Sequence, residues 1–133
     1  MKNDLTQAKG LIAECLHTQN TYLDLGNCGI TDLTDLPELF ECKHIETLIL
    51  SSGIFLKNDY KFKSQNKGKT NCLQIIPSEI TKFQNLKNLI LNGVLVGKKY
   101  SLEPIGALTT LTNLYLSNEN ISDVNFLHNL ENL

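Results

Sequence analysis

The chain is constrained above all by an apolar pattern that recurs along it, in three of four intervals at a step of 22 to 25 residues. Its first unit places Leu23, Leu25, Cys28 and Ile30 in the pattern L-x-x-L-x-L-x-x-N/C-x-L. The units open at residues 20, 45, 86 and 111, and Leu133 would open a fifth, so the steps are 25, 41, 25 and 22 residues. A single unit of this kind cannot bury its own apolar face and is stable only when it stacks on others. The pattern positions of the later units are Ile45, Leu48, Leu50, Gly53 and Phe55; Leu86, Leu89, Leu91, Val94 and Val96; and Leu111, Leu114, Leu116, Glu119 and Ile121.

The alternation inside each unit predicts one short strand per coil. Successive side chains of a strand point to opposite faces, so the two central leucines of a unit, such as Leu48 and Leu50, point inward together. Between the units, apolar residues recur at steps of three and four, which is typical of helical or 3₁₀ turns on the other side of the coil. These residues are Leu33, Leu36, Leu39, Ile76, Ile80, Phe83, Leu102, Ile105, Leu108, Val124, Leu127 and Leu130.

The chain divides into a cap and a repeat region. Residues 1–19 are expected to form an amino-terminal helical cap, with the helix over residues 4–16 and Asn3 as its N-cap. Residues 20–133 hold about four coils and a truncated fifth, which indicates a fragment or one part of a longer solenoid. The long second step predicts a basic insertion near residues 57–72, which contain five lysines and one aspartate. The apolar positions of the cap helix are Leu5, Ala8, Ile12, Cys15 and Leu16.

The repeated units resemble the leucine-rich-repeat superfamily over residues 20–133. This resemblance implies an α/β leucine-rich-repeat solenoid with a parallel concave sheet, helical or 3₁₀ turns on the convex side and an amino-terminal capping helix. Many repeats of that family carry an asparagine that hydrogen-bonds the turn backbone. The corresponding positions here are Cys28, Gly53, Val94 and Glu119, so a continuous asparagine ladder is not expected.

A second resemblance concerns the start of the repeats. The runs at residues 8–12, 23–30 and 36–42 look like the beginning of the repeat region in bacterial Roco-type proteins. In that family the repeats precede a Ras-like GTPase and a dimerising segment. Residues 111–124 are equally similar to internalin-type repeats, so the resemblance leaves the subfamily open.

Composition excludes several classes of partner. With 12 basic and 14 acidic residues the formal net charge is −2, so no overall field attracts nucleic acid or an anionic membrane. The amino end lacks the apolar stretch of a secretory signal, and no run of apolar residues is long enough to span a bilayer, which predicts a cytoplasmic protein. The four cysteines lack metal-ligand spacing and are expected to be reduced and mostly buried, with Cys28 and Cys42 in the interior.

No motif for catalysis, a cofactor or a metal emerges. The run Gly68-Lys69-Thr70 resembles the end of a phosphate-binding loop, but the motif needs a glycine where this chain has Lys63. His17, His44 and His128 are too widely spaced to form a metal site from one coil. We therefore predict that this chain is not an enzyme and binds neither cofactor nor metal.

The main candidate binding surface is the set of outward positions on the strands. The middle column is expected to expose an apolar stripe, with Ile49, Ile90 and Tyr115 about 4.8 Å apart on successive strands. Charged residues are almost absent, which favours a polypeptide over nucleic acid. The three columns contain Tyr22, Thr47, Asn88 and Asn113; Asp24, Ile49, Ile90 and Tyr115; and Gly26, Ser51, Asn92 and Ser117.

The insertion is the second candidate surface, because Tyr60, Lys61, Phe62 and Lys63 interleave aromatic with basic side chains. Such a segment can hold an acidic peptide or single-stranded nucleic acid. The alternative interpretation, which the composition favours, is a mobile solvated loop.

These observations leave three functional hypotheses. The first is a non-catalytic interaction module that binds a protein or peptide on its concave strand face. The second is the regulatory repeat region of a larger Roco-like GTPase. The third is a structural repeat that self-associates through its uncapped carboxyl end.

Overall fold

The recurring apolar step corresponds to one parallel sheet. In the computed structural model, residues 4–56, 59–95 and 102–116 are described. Within them, β1 (Tyr22–Asp24), β2 (Thr47–Ile49), β5 (Asn88–Ile90) and β6 (Asn113–Tyr115) form a four-stranded parallel sheet in the order β1-β2-β5-β6. Each inward leucine pairs in register with the next, and the row consists of Leu23, Leu48, Leu89 and Leu114. The predicted stacking of coils is therefore confirmed.

The amino-terminal cap is a single helix, α1 (Thr6–Thr18). It begins two residues later than predicted; the Asp4 carboxylate accepts a hydrogen bond of 3.0 Å from the Thr6 amide, while Asn3 lies outside the described residues. The buried face of α1 consists of Ala8, Ile12 and Cys15. The helix ends at Thr18 and is capped by Gln19, whose backbone is left-handed (φ 59°) and whose amide donates to the Cys15 carbonyl.

The return segments are 3₁₀ turns, as the three- and four-residue steps predicted. They span Leu33–Asp35, Pro37–Glu41, Ser78–Lys82 and Glu103–Ala107. Five apolar side chains of these turns are buried in the same core as the strand leucines: Leu33, Leu39, Phe40, Ile80 and Ile105. Phe40 also stacks on Phe83 with ring centroids 5.7 Å apart. The predicted positions Val124, Leu127 and Leu130 lie outside the described residues.

The insertion has different limits from those predicted. It starts after Ser52 and contains a second, antiparallel sheet of β3 (Ile54–Leu56) and β4 (Asp59–Lys61). The chain rejoins the repeat at Asn71 and the buried Leu73, which take the positions that the pattern had assigned to Gly53 and Phe55. The assignment was wrong because the eighteen residues 53–70 are inserted inside the repeat pattern rather than after it.

The side chain of Asn71 links the backbones of the first two coils. Its side chain is 0% exposed, and its Oδ1 accepts hydrogen bonds from the amides of Cys28 (3.2 Å) and Ile30 (2.8 Å). Its Nδ2 donates to the carbonyls of Leu25 and Leu50, both at 2.8 Å. One amide side chain thus satisfies four main-chain groups that would otherwise be buried without partners.

The described residues contain no helix with the length and apolar character needed to cross a membrane.

Candidate interaction surface

The first outward column forms an open polar edge of the concave sheet. The Asn113 side-chain amide donates to Asn88 Oδ1 at 2.7 Å, and the Asn88 amide donates to Thr47 Oγ1 at 3.0 Å. Thr47 is buried and Asn88 half-buried, whereas Asn113 is exposed and Tyr22 is 45% exposed. Three of the four predicted contact residues in this column therefore remain accessible, and two of these three are held in place by hydrogen bonds.

The middle column differs from its prediction. Ile49 and Ile90 are 0% exposed, so the expected apolar stripe is not on the surface. The two isoleucines do not belong to the core of inward-facing leucines, because they point to the opposite side of the sheet. Their column neighbours at either end, Asp24 and Tyr115, are half-buried. Another segment must therefore pack over this side.

The insertion supplies a segment that crosses the column, residues Phe62–Asn66, which we call the strap. At one end the Phe62 ring packs against Tyr115, with centroids 6.0 Å apart and planes tilted by 56°. Phe62 has a positive φ of 51°, which is uncommon for a bulky residue and directs the chain back across the sheet. The strap continues towards the opposite end of the column.

At the other end, the strap is bound by Asp24 of β1. Ser64 Oγ donates to Asp24 Oδ1 at 2.8 Å, and the Gln65 amide donates to Asp24 Oδ2 at 2.7 Å. The Asn66 side-chain amide adds bonds to the carbonyls of Asp24 (3.1 Å) and Gly26 (2.9 Å). Because the strap contacts both ends of the column, we infer that it passes over the two buried isoleucines between them.

Gly26 is required where the strap approaches β1. A Cβ atom at this position would overlap the Ser51 carbonyl oxygen and lie 2.7 Å from Ser64 Cβ. The third outward column is otherwise satisfied internally: Ser51, 1% exposed, donates to Asn92 Oδ1 at 2.9 Å, and the Asn92 amide donates to the Gly53 carbonyl. Ser117, also predicted in this column, lies outside the described residues. Among the described residues of the third column, Gly26 and Ser51 are buried, so Asn92 is the side chain that a partner could contact.

These contacts hold residues 62–66 of the insertion against the sheet, which disagrees with the interpretation of this segment as a mobile solvated loop. Lys61 and Lys63 are exposed, Phe62 is half-buried, and Tyr60 pairs with Phe55 across the β3–β4 hairpin. Periodicity could not reveal the strap, because its residues belong to no repeated position and are held by individual contacts with Asp24 and Tyr115. One signal could have been used: Asn71-x-Leu73 completes the repeat pattern that Leu48-x-Leu50 begins.

A groove of about 620 Å³ opens between α1, β1 and the end of the strap. Glu14, Tyr22, Asp24 and Gln65 are among its lining residues. Partial burial, and secondarily the negative charge of Asp24, raise the pKa of Tyr22 above its usual value. The Tyr22 hydroxyl is therefore protonated at neutral pH and serves as a neutral hydrogen-bonding group at the edge of the concave side.

The cysteines are free, with Cys15, Cys28 and Cys42 buried and Cys72 exposed. Burial raises the pKa of Cys28 to about 11 and that of Cys42 to about 12, which disfavours the reactive thiolate. The Cys15 Sγ lies 3.4 Å from His44 Nε2, but burial raises the pKa of the Cys15 thiol as well, so this pair lacks an activated nucleophile.

In the part of the chain that the structure describes, there is no group of three or more His, Cys, Asp or Glu residues that could hold a metal ion.

Parallel strands in equal register, 3₁₀ return turns and a helical cap define an α/β leucine-rich-repeat solenoid. Its concave side is partly covered by its own insertion.

A solved structure of a leucine-rich-repeat protein from Leptospira interrogans is similar to this chain, with 22% identity and a TM-score of 0.48. The alignment covers 99% of this chain and 33% of that protein, so this chain spans about a third of its length. Neither the models of protein families nor the curated proteins give a match.

Proposed function

We propose that this chain is a non-catalytic recognition module that binds a protein or peptide on its concave side. The binding surface is composite: it combines the open first column with the outward side of the basic insertion. This proposal replaces the exposed isoleucine stripe, which the strap covers.

The observation that carries the proposal is the hydrogen-bonded row of Thr47, Asn88 and Asn113, which continues to the exposed Tyr22 on β1. The amides of Asn88 and Asn113 are fixed by their neighbours, so little side-chain entropy remains to be lost on binding. Amide groups and an exposed tyrosine beside them provide adaptable hydrogen bonds with a large contact area, a composition enriched at protein interfaces.

The test uses peptide ligands selected from a random display library against the intact chain. The triple variant Tyr22→Ala, Asn88→Ala, Asn113→Ala is expected to weaken the selected peptides by about tenfold or more, because truncating central contact residues costs more than about 1 kcal/mol. Dissociation constants from calorimetry, together with the thermal midpoint, separate loss of binding from loss of fold.

The matched control changes three exposed side chains elsewhere: Glu38→Ala, Gln74→Ala and Lys82→Ala. Peptide affinity should be unchanged in this control. If the control weakens binding as strongly as the concave variant, or if the folded concave variant binds normally, the recognition surface lies elsewhere and the proposal fails.

A second candidate function is the regulatory repeat region of a larger Roco-like GTPase. The similarity of the runs at residues 8–12, 23–30 and 36–42 to the start of that family's repeats favours it. The reading frame beyond Leu133 tests it directly. A Gly-x-x-x-x-Gly-Lys-[Ser/Thr] motif following a strand supports this role, whereas a stop codon immediately after Leu133 refutes it.

A further inference from the structure

We propose that the ligand segment meeting the insertion is an acidic polypeptide. This inference rests on the proposed recognition function and names the chemistry of its partner. The surface concerned is the basic segment 61–69, which includes the strap and carries Lys61, Lys63, Lys67 and Lys69.

The positive charge of the protein is concentrated on this segment. Residues 4–52 contain eight acidic residues and two lysines, whereas residues 61–69 contain four lysines and no acidic residue. All four lysines are exposed. Within the described residues Lys61, Lys67 and Lys69 form no ion pair, so their charges are not neutralised by the fold. An acidic ligand is therefore attracted to the insertion and repelled from the cap and first coil.

The concave columns place one negative charge beside the basic segment, and its oxygens are already occupied by hydrogen bonds. Asp24 is the only carboxylate in the three columns, and both of its oxygens accept hydrogen bonds from the strap or the adjoining turn. The other accessible groups there, Asn88 and Asn113, are neutral amides. Asn88 keeps one amide hydrogen beyond its bond to Thr47, whereas both amide hydrogens of Asn113 are used by Asn88 and Thr112, so Asn113 offers its Oδ1 as an acceptor. Both side chains can bond to the backbone of a peptide without repelling its carboxylates.

The backbone that carries the lysines is held in position. The Asn27 side-chain amide donates to the Asn66 carbonyl at 3.0 Å, and the Gly29 amide donates to the Lys69 carbonyl at 2.9 Å. Gly68 lies so close to Asn27 that an added Cβ would be 2.5 Å from its carbonyl oxygen. Because this part of the insertion is ordered before binding, the lysines present a defined array and the ligand does not have to order the loop.

Single-stranded nucleic acid fits this surface less well than an acidic peptide. Binding of single strands relies on exposed aromatic rings that stack on bases. The Phe62 ring is instead half-buried against Tyr115, and it helps to hold the strap over the sheet. A ligand at the basic segment therefore meets positive charge, and on the concave side it meets the neutral amides of Asn88 and Asn113 and the Tyr22 side chain.

The test measures binding of a labelled oligoglutamate peptide to the intact chain by fluorescence anisotropy. The variant Lys61→Glu, Lys67→Glu, Lys69→Glu is expected to weaken binding by at least about tenfold at an ionic strength of about 0.15 M, and by more at lower salt. The matched control reverses three exposed lysines outside the insertion, Lys9→Glu, Lys43→Glu and Lys82→Glu, and changes net charge equally. The control should retain most of the affinity.

Equal weakening in the two variants would show a net-charge effect and overturn the proposal, as would undetectable oligoglutamate binding by the wild type. Tighter binding of an oligothymidylate of equal charge under the same conditions would identify nucleic acid as the ligand and also overturn it. The library selection separates this inference from the proposed function. One outcome is a set of selected peptides that depend on Tyr22, Asn88 and Asn113 but carry no acidic residues. That result would support the recognition function and contradict only the proposal that the partner is acidic.

Discussion

Replacing Asp24 with alanine is expected to detach the strap from β1 and to uncover Ile49 and Ile90. The Asp24 carboxylate accepts hydrogen bonds from Ser64 Oγ, the Gln65 amide and the Gly26 amide. Hydrogen bonds to a charged group contribute about 1.5–3 kcal/mol each in favourable cases. Asp24 is only half-buried, so we expect a total loss of about 2 kcal/mol in the free energy of unfolding.

The Asp24 substitution should change proteolytic cleavage of the strap more than it changes the free energy of unfolding. Trypsin cleaves after lysine, and the strap is flanked by exposed lysines such as Lys61 and Lys67, so detachment should accelerate cleavage within residues 61–69 by about tenfold or more. Mass spectrometry of early digestion products locates the cuts, and an apolar dye reports exposure of Ile49 and Ile90.

Asp32→Ala is the matched control for this experiment. Asp32 also accepts hydrogen bonds from a backbone amide and a hydroxyl, both of Thr34, but it caps a 3₁₀ turn on the return segment. It should lower stability without changing cleavage between residues 61 and 69. The role assigned to Asp24 is wrong if its variant is cut in that region no faster than the Asp32 variant.

Replacing Asn71 with alanine is expected to cost about 3–4 kcal/mol of unfolding free energy, the largest effect of any single side-chain amide described here. The change leaves the amides of Cys28 and Ile30 and the carbonyls of Leu25 and Leu50 without the partner that Asn71 provides. A buried backbone group left without its bond costs about 1–3 kcal/mol, and relaxation or entering water recovers part of the sum. Urea unfolding followed by circular dichroism measures the loss.

Asn85→Ala provides the comparison. Asn85 is exposed and its side chain makes one hydrogen bond, at 3.0 Å to the Lys43 carbonyl. Its removal should cost less than about 1 kcal/mol. If the Asn71 variant is no less stable than the Asn85 variant, then Asn71 does not hold the first two coils together as its geometry indicates.

The repeat pattern predicted the sheet residue by residue. Leu23, Leu48, Leu89 and Leu114 were expected on neighbouring parallel strands, and they are paired in register. The prediction succeeded because alternation along a strand is a local property, and because each coil can bury its leucines only against the coils beside it. The 3₁₀ turns were predictable for the same reason.

The pattern could not predict what covers the outward face. Ile49 was correctly assigned to the outward side of β2, but its exposure was predicted wrongly, because exposure depends on every segment that packs nearby. The segment that does so is polar and basic. Its attachment to Asp24 and Tyr115 depends on individual hydrogen bonds and one ring contact rather than on any periodic feature.

The sequence alone therefore determined the solenoid, its register, the direction of each strand side chain and the presence of an insertion in the second coil. Only the tertiary structure decided that Asn71 completes that coil, that the strap closes the middle of the concave side, and that Tyr22, Asn88 and Asn113 remain accessible there. The physical reason is periodicity. Leu48 and Leu89 were predictable partners because both occupy the same position of a repeated unit, whereas the strap is held by contacts of residues that belong to no repeated position.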